Sequence, residues 1–500
     1  MEEKFSEIVK PTACTIDVTE DCNLACDYCF TWSKHKRRVL SEKIGKNIIN
    51  WWLPQVDKTR NTQLSWWGGE PLLEWKLSKE LTYYAEELAK KLELLPMEFG
   101  GTTNGMLYTP DKVEWCLEHR SLYLISLDGI EPAHDYHRKT RGGKGSWKVV
   151  DKNTREALKI APQQRIRSSL SPDTIQHFFE SIQYFVEDLG IESLAFSPVF
   201  EGNWDQKALE LLEEQFELII NYAIKRAKEG SPIVLKHLND EARVSKTGMP
   251  PRNPCGAGNS YTGWSVDGFC FPCHRFNKHG LTTKERSKLP TIIAGPLGKN
   301  GEIIAVNEAW RSEFINWFKN LPKQCAECDI YETSVCNGGC YAVNWDMTGS
   351  LYKQPQSVCD FNRIQHEAGV KYGQLAEKEG VKLLKSNWGE NLGVDNSNKQ
   401  NEKRGCICYN MCYNQGSKEE IIHIDAASET HCICYNTSYN GVTDPPNTSL
   451  IKNRFEKKEL RKKFLDLSKR ILQTRDLEKT EEKQKLEEQI IEKTIKILEE

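Results

Sequence analysis

No apolar run of membrane-spanning length occurs in the 500 residues, so the pattern holds no transmembrane helix. Met1 to Lys10 is short and charged, with no apolar stretch to read as a signal peptide. An excess of one charge is also missing. Lys and Arg number 68 against 71 Asp and Glu, a formal net charge of −3. That balance argues against nucleic acid and against anionic membrane as general partners. With 38% hydrophobic and 28% charged residues the composition is that of a soluble globular chain, expected in the cytoplasm. Its length predicts about two to four domains.

Cysteine is what the chain has in quantity, 18 in all. Without an export signal, disulfides are a poor explanation. Cys14 and Cys116 each stand alone in apolar stretches and read as buried thiols. The others cluster at ligand-like spacings, which favours metal or iron–sulfur sites. The first cluster is Cys22, Cys26 and Cys29, in Thr19-Glu-Asp-Cys-Asn-Leu-Ala-Cys-Asp-Tyr-Cys-Phe30. Three thiolates at C-x3-C-x2-C spacing suit three irons of one 4Fe-4S cluster, leaving the fourth iron without a protein ligand. An open iron can bind and activate a small molecule. Three cysteines also suit part of a zinc site.

Around this cluster, strand and helix patterns alternate. Strands are expected at Cys14–Val18, Gln63–Trp67, Met97–Thr103, Leu122–Leu127, Arg165–Leu170 and Ile191–Val199. Helices are expected at Leu40–Leu53, Leu77–Leu95, Asp111–Glu118, Trp147–Ile160, between the last two strands, and at Gln206–Lys228. Repeated strand–helix units predict a parallel sheet. The polar motifs fall after strand C-termini, where parallel α/β barrels place their chemistry.

From about residue 250 to Cys359 periodicity fades and cysteines concentrate, as in a small ligand-stapled domain. A helix is expected at Phe361–Leu384, then a polar linker over 386–405. Cys406-Ile-Cys-Tyr-Asn410 then recurs as Cys432-Ile-Cys-Tyr-Asn436. This segment, 406–450, reads as a further metal site, a small β-like unit, or a tethered substrate-like segment held at high effective concentration. The end, 451–500, is a charged helical tail whose apolar face is Leu460, Phe464, Leu467 and Ile471.

The run Cys22 to Phe30 resembles the radical SAM superfamily motif, and the resemblance extends over roughly residues 12 to 200. It implies an α/β fold, a partial (β/α)6 TIM-like barrel over 1–230. It also implies S-adenosylmethionine (SAM) on the open iron, cleaved after one-electron reduction to a 5′-deoxyadenosyl radical. The cofactor supplies the hard chemistry and the protein supplies aim and insulation. Gly68-Gly69-Glu70 resembles the motif that meets the methionine amino group. Glycines permit close backbone approach, and a carboxylate suits an ammonium. Asn104, Ser126 and Asp128 match the family's ribose and methionine contacts. Arg138 and Arg167 are candidates for the SAM carboxylate, with a structural salt bridge as the plainer reading of each.

The second cysteine set resembles the SPASM extension of such enzymes, placed at 231–385. Cys255 is followed by twelve residues, Gly268, four residues and Cys273; then come Cys325, Cys328, Cys336, Cys340 and Cys359. Seven residues separate Cys328 from Cys336 where the family pattern has five. The resemblance implies two auxiliary 4Fe-4S clusters. Cys255, Cys273 and Cys340 would hold the inner one, with Cys270 as a candidate fourth ligand. Cys325, Cys328, Cys336 and Cys359 would hold the outer one. Two structural zinc sites are the competing reading.

The implied activity is a peptide or protein maturase that forms a thioether or C–C crosslink on a ribosomally made peptide. The alternatives are oxidation of Cys or Ser to formylglycine, as in anaerobic sulfatase-maturating enzymes, and a non-catalytic iron–sulfur or zinc scaffold. Those sulfatase maturases carry an aspartate base at the position of His274. Here His274 is the candidate catalytic base. The expected partners are a peptide or protein substrate, Cys- and Tyr-rich in one reading, and a flavodoxin- or ferredoxin-type reductant. About twenty residues precede Cys22, too few for a winged-helix leader-recognition domain, so a separate recognition protein is a candidate third partner.

Overall fold

The computed structural model describes residues 11–384, apart from 32–37, 249–254, 299, 304, 316–321, 332 and 337. The linker at 386–405, the Cys-Ile-Cys-Tyr-Asn repeat and the helical tail lie outside the described residues.

Strand and helix alternate as the apolar periodicity predicts. The order is β1 (Ala13–Thr19), α1 (Glu42–Trp52), β2 (Gln63–Gly68), α2 (Trp75–Lys91), β3 (Glu98–Thr103), α3 (Pro110–Glu118) and β4 (Ser121–Ser126). Then come α4 (Glu131–His137), α5 (Trp147–Ile160), β5 (Ile166–Leu170) and α6 (Phe178–Gln183). Local chemistry sets these ends. Ser41 caps α1 by accepting from the Ile44 N–H, and Pro110 opens α3, where no intrahelical N–H is needed.

One eight-stranded sheet has the order β10-β9-β1-β2-β3-β4-β5-β7, with β7 at Phe196–Pro198, β9 at Tyr261–Trp264 and β10 at Cys270–Phe271. The six strands from β1 to β7 pair in parallel, the core of a partial (β/α)6 barrel. The single strand expected over Ile191–Val199 is divided. β6 (Ser193–Leu194) pairs with β8 (Val234–Leu235) in a separate ribbon, and only β7 joins the sheet. A period-two pattern cannot show which neighbour a strand takes.

The cysteine-rich part is built onto the barrel. β9 (Tyr261–Trp264) pairs in parallel with β1, and β10 (Cys270–Phe271) closes a hairpin onto β9. Gly268 makes that turn at φ +84°, a conformation open to glycine. The long helix α7 (Gln206–Lys228) packs on α10 (Gln356–Lys378), as does α8 (Lys236–Thr247); α9 (Tyr341–Thr348) lies between α8 and α10 in the chain. Pro355 caps α10 and sets its start five residues before the expected Phe361, so Cys359 lies in its first turn. Among the described residues no helix is long and apolar enough to cross a membrane.

Candidate active site

The loop of Cys22, Cys26 and Cys29 follows β1 and is met by the C-terminal ends of β2, β3 and β4. Gly68 has φ +130°, and a Cβ there would stand 2.0 Å from the Thr19 carbonyl oxygen. A Cβ on Gly69 would stand 2.1 Å from the Asp21 carbonyl oxygen. The close approach that needs these glycines is therefore to the chain's own backbone, where β2 grips the start of the cysteine loop. The Gly69 and Glu70 N–H groups donate to the Thr19 and Asp21 carbonyls at 3.0 and 2.8 Å.

Glu70 is buried, and its carboxylate organises the β3 tip. Oε1 accepts from Leu72 N–H at 3.1 Å and from the Thr103 hydroxyl at 2.8 Å. Oε2 accepts from Asn104 N–H at 2.7 Å. Burial raises its pKa to about 7, against the pull of these donors. Asn104 Nδ2 donates to Asn23 Oδ1 at 2.6 Å and to Cys22 Sγ at 3.7 Å, tying β3 to the cysteine loop.

A third tie crosses from Tyr28, between two of the cysteines. Its hydroxyl donates to Asp128 Oδ2 at 2.5 Å, and Arg138 Nε donates to the same oxygen at 2.7 Å. Asp128 Oδ1 accepts from Ser169 N–H at 2.8 Å. Burial pushes Asp128 up, but the Arg138 guanidinium, His134 and the Tyr28 hydroxyl together outweigh it and hold the carboxyl below its usual range. Arg138 also donates to Ser169 Oγ at 3.4 Å, and its guanidinium lies 5.4 Å above the Tyr28 ring. Asp27 and His137 add a 2.5 Å contact beside it. Ser126 is buried at the β4 tip, in register with Arg167 of β5.

His274 is buried, with its ring 4.4 Å from Trp67 and 5.9 Å from Phe30, which follows Cys29. Its Nδ1 shares a 2.5 Å hydrogen bond with the Tyr261 hydroxyl, which meets the Thr15 hydroxyl at 2.6 Å. Burial, then the charges of Arg275, Arg167 and Lys278, hold the imidazole well below its ordinary pKa. Arg275 pairs with Glu201 and Lys278 with Asp346.

The described cysteines are thiols and fall into groups. Burial, Glu70, Cys26 and Cys29 push the Cys22 thiol up to about 12, with the Leu24 N–H acting the other way. Cys273 is raised to about 12 by burial and by nearby Cys340. Tyr341 feels both Cys255 and Cys340, so these cysteines share one neighbourhood. Cys325 is raised to about 12 by burial and then by Cys336, Cys359 and Cys328, so these four stand together. Cys270 is placed elsewhere. It is fully buried, with Cys14 and Thr262 as its electrostatic neighbours, and belongs to the barrel core. Cys255 and Cys273 belong to the adjoining core of the cysteine-rich part.

Among the described residues no three His, Cys, Asp or Glu side chains converge on a point able to hold a single metal ion. The donor chemistry is nonetheless that of iron–sulfur ligation: thiols alone, in groups of three and four, crowded enough to repel one another as thiolates. Several members of this constellation escaped sequence reasoning: Asn23, Thr103, Tyr28, Trp67 and Tyr261. Only Tyr28 had a local signal, its place between Cys26 and Cys29.

Residues 16–184 match the Radical SAM superfamily model. The radical SAM cyclopropyl synthase TigE of Paramaledivibacter caminithermalis is 28% identical over 196 residues. That match spans 35% of this chain and 39% of the synthase's own length. A serine-type anaerobic sulfatase-maturating enzyme of Bacteroides thetaiotaomicron is 26% identical over 72% of this chain and 89% of its own. In fold, the chain resembles native anSMEcpe with bound AdoMet and Kp18Cys peptide. The TM-score is 0.57 at 18% identity, over 74% of this chain and 99% of that one.

The barrel and its cysteine loop thus make up a radical SAM domain. Residues 16–184 carry the radical SAM domain, and beyond it the chain is similar in sequence to anaerobic sulfatase-maturating enzymes and in fold to anSMEcpe. A domain of this kind implies SAM and a 4Fe-4S cluster.

Proposed function

We propose that the chain is a peptide or protein maturase that uses SAM-derived radical chemistry to install a thioether or C–C crosslink on a ribosomally made peptide. Cys22, Cys26 and Cys29 would hold the catalytic cluster. Cys255, Cys273 and Cys340 would hold an inner auxiliary cluster, and Cys325, Cys328, Cys336 and Cys359 an outer one. When bound, the catalytic cluster and SAM supply a 5′-deoxyadenosyl radical. The observation that carries the reading is the joining of three strand tips to the three-cysteine loop through Gly69, Asn104 and Asp128.

The chain's own residues would hold and aim the reactants. A carboxylate offers about four acceptor sites, and three donors reach Glu70, so it can take one more, such as the methionine ammonium. Arg138 spends Nε on Asp128 and NH2 on Ser169, and its five N–H groups leave donors for an anionic ligand group. Ser126 and Arg167, one strand apart, complete this rim. His274 stands between Trp67 and the cysteine-rich part, oriented by Tyr261, as the candidate to take a proton from the substrate.

A peptide substrate is supported by two likenesses. One is the peptide-bound state in which anSMEcpe was solved; the other is the extended match to a sulfatase-maturating enzyme. That second likeness also favours formylglycine formation as the other reading. Anaerobically reconstituted protein, given dithionite and SAM, is expected to release 5′-deoxyadenosine, and Cys22→Ala to release none. Absence of release from the wild type would overturn the reading. With a cysteine-containing peptide, a crosslink shows as a product lighter by a pair of hydrogens. An aldehyde that reacts with hydrazide marks formylglycine instead.

A further inference from the structure

The four cysteines of the outer group share a feature beyond grouping. Each sulfur receives a side-chain N–H. Gln354 Nε2 donates to Cys325 Sγ at 3.2 Å, and Gln324 Nε2 to Cys359 Sγ at 3.1 Å. Asn362 Nδ2 donates to Cys336 Sγ at 3.5 Å, and Arg363 NH2 to Cys328 Sγ at 3.6 Å. Gln354 Oε1 in turn accepts from the Cys359 thiol at 3.6 Å. Gln354 and Asn362 are buried, 5% and 3% exposed, so neither is a chance surface contact.

The sequence builds this cage locally. Cys359, Asn362 and Arg363 fall at i, i+3 and i+4 on α10 and so share one face of the helix. Gln324 adjoins Cys325 in the chain. Arg363 is held by Asp329, which neighbours Cys328, at 2.7 Å. The inner group differs: its Cys273 takes backbone N–H groups, from Arg275 and Phe276. Cys336 of the outer group also takes a backbone N–H, from Gly338, but every outer sulfur has a side-chain donor besides, and side-chain donors are choices the fold does not force.

We propose that Gln324, Gln354, Asn362 and Arg363 are tuning residues that raise the reduction potential of the outer centre. This rests on the reading that the outer cysteines hold an iron–sulfur cluster. Adding an electron puts more negative charge on the cluster sulfurs, so an N–H donor stabilises the reduced state more than the oxidised one. One donor on every sulfur makes the effect fourfold in number and biases this centre toward accepting and holding an electron.

The test is redox titration of the reconstituted holoprotein, followed by the electron paramagnetic resonance signal of the outer cluster. Gln354→Leu and Asn362→Leu each remove one donor from a buried sulfur. Each is expected to shift the reduced-to-oxidised ratio at fixed potential about tenfold toward oxidised, ~59 mV more negative. The double variant should shift further, and the catalytic cluster should not move. Gln324→Leu, at an exposed position, serves if a buried variant fails to load iron. Variants with full iron content and an unmoved outer potential would overturn the proposal. Wild-type protein whose iron and spectra show no outer cluster would instead overturn the reading beneath it, and the proposal with it.

Discussion

Tyr28 and Asp128 lie a hundred residues apart in sequence and meet through a hydrogen bond of 2.5 Å. The bond links the cysteine loop to the tip of β4. Because Arg138 donates to the same carboxylate oxygen, three side chains from three segments lock one another in a buried site. A loop of three cysteines needs such outside support, since its own backbone holds few hydrogen bonds.

Removing the two ends of this link should have unequal effects. Tyr28→Phe deletes one donor to a carboxylate still paired with Arg138, a loss of about 1.5–3 kcal/mol. Asp128→Asn leaves the Arg138 guanidinium buried beside a neutral amide, a loss of about 3–5 kcal/mol. Anaerobic urea unfolding of the two variants measures both. Equal losses would mean that Arg138 is satisfied without Asp128.

Gly69→Ala puts a methyl group against the Asp21 carbonyl, which is backbone and cannot rotate aside. Overpacking of this kind costs about 1–3 kcal/mol, and the displaced atoms lead straight into Cys22. The variant is expected to fold, yet retain less iron at the catalytic loop than at the other groups. Iron analysis with spectroscopy of the catalytic cluster checks this.

Much of this arrangement was legible because its signals are local. Strand and helix periods mark β1 to β5, and the spacings of the cysteines separate the loop set from the later sets. What was not legible depends on partners distant in sequence. Nothing near Arg138 shows that Asp128 takes its Nε, nor that Gly68 and Gly69 serve the Thr19 and Asp21 carbonyls. Cys270 sits three residues from Cys273, yet strand alternation sends it into the barrel core. The Ile191–Val199 strand is divided by a pairing with β8 some forty residues on.

His237 provides a pH prediction away from the cysteines. Burial, with Lys236 beside it, lowers its pKa from 6.5 to about 3. The unfolded chain therefore binds a proton between these values that the folded chain does not. Its stabilising contribution is complete above pH 6.5 and is lost as pH falls toward 3, at about 1.4 kcal/mol per unit. His237→Gln should flatten the fall in stability between pH 6.5 and 4.5 by that slope. Denaturant unfolding at several pH values reads the difference, and parallel curves would show that the imidazole takes up its proton as readily in the fold as in the unfolded chain.

Cys270 separates the sulfur that fills space from the sulfur that would bind iron. By spacing it is a candidate fourth ligand of the inner group; by position it lies against Cys14 and Thr262, in a different core from Cys255 and Cys273. A ligand must reach the same point as its partners, and a side chain on the far side of a strand cannot. Cys270→Ala is therefore expected to keep the full iron content and lose about 1 kcal/mol of stability to the small cavity. Cys273→Ala is expected to lose the iron of the inner group. If iron falls equally in both variants, β10 must turn when the centre assembles and bring Cys270 round to it.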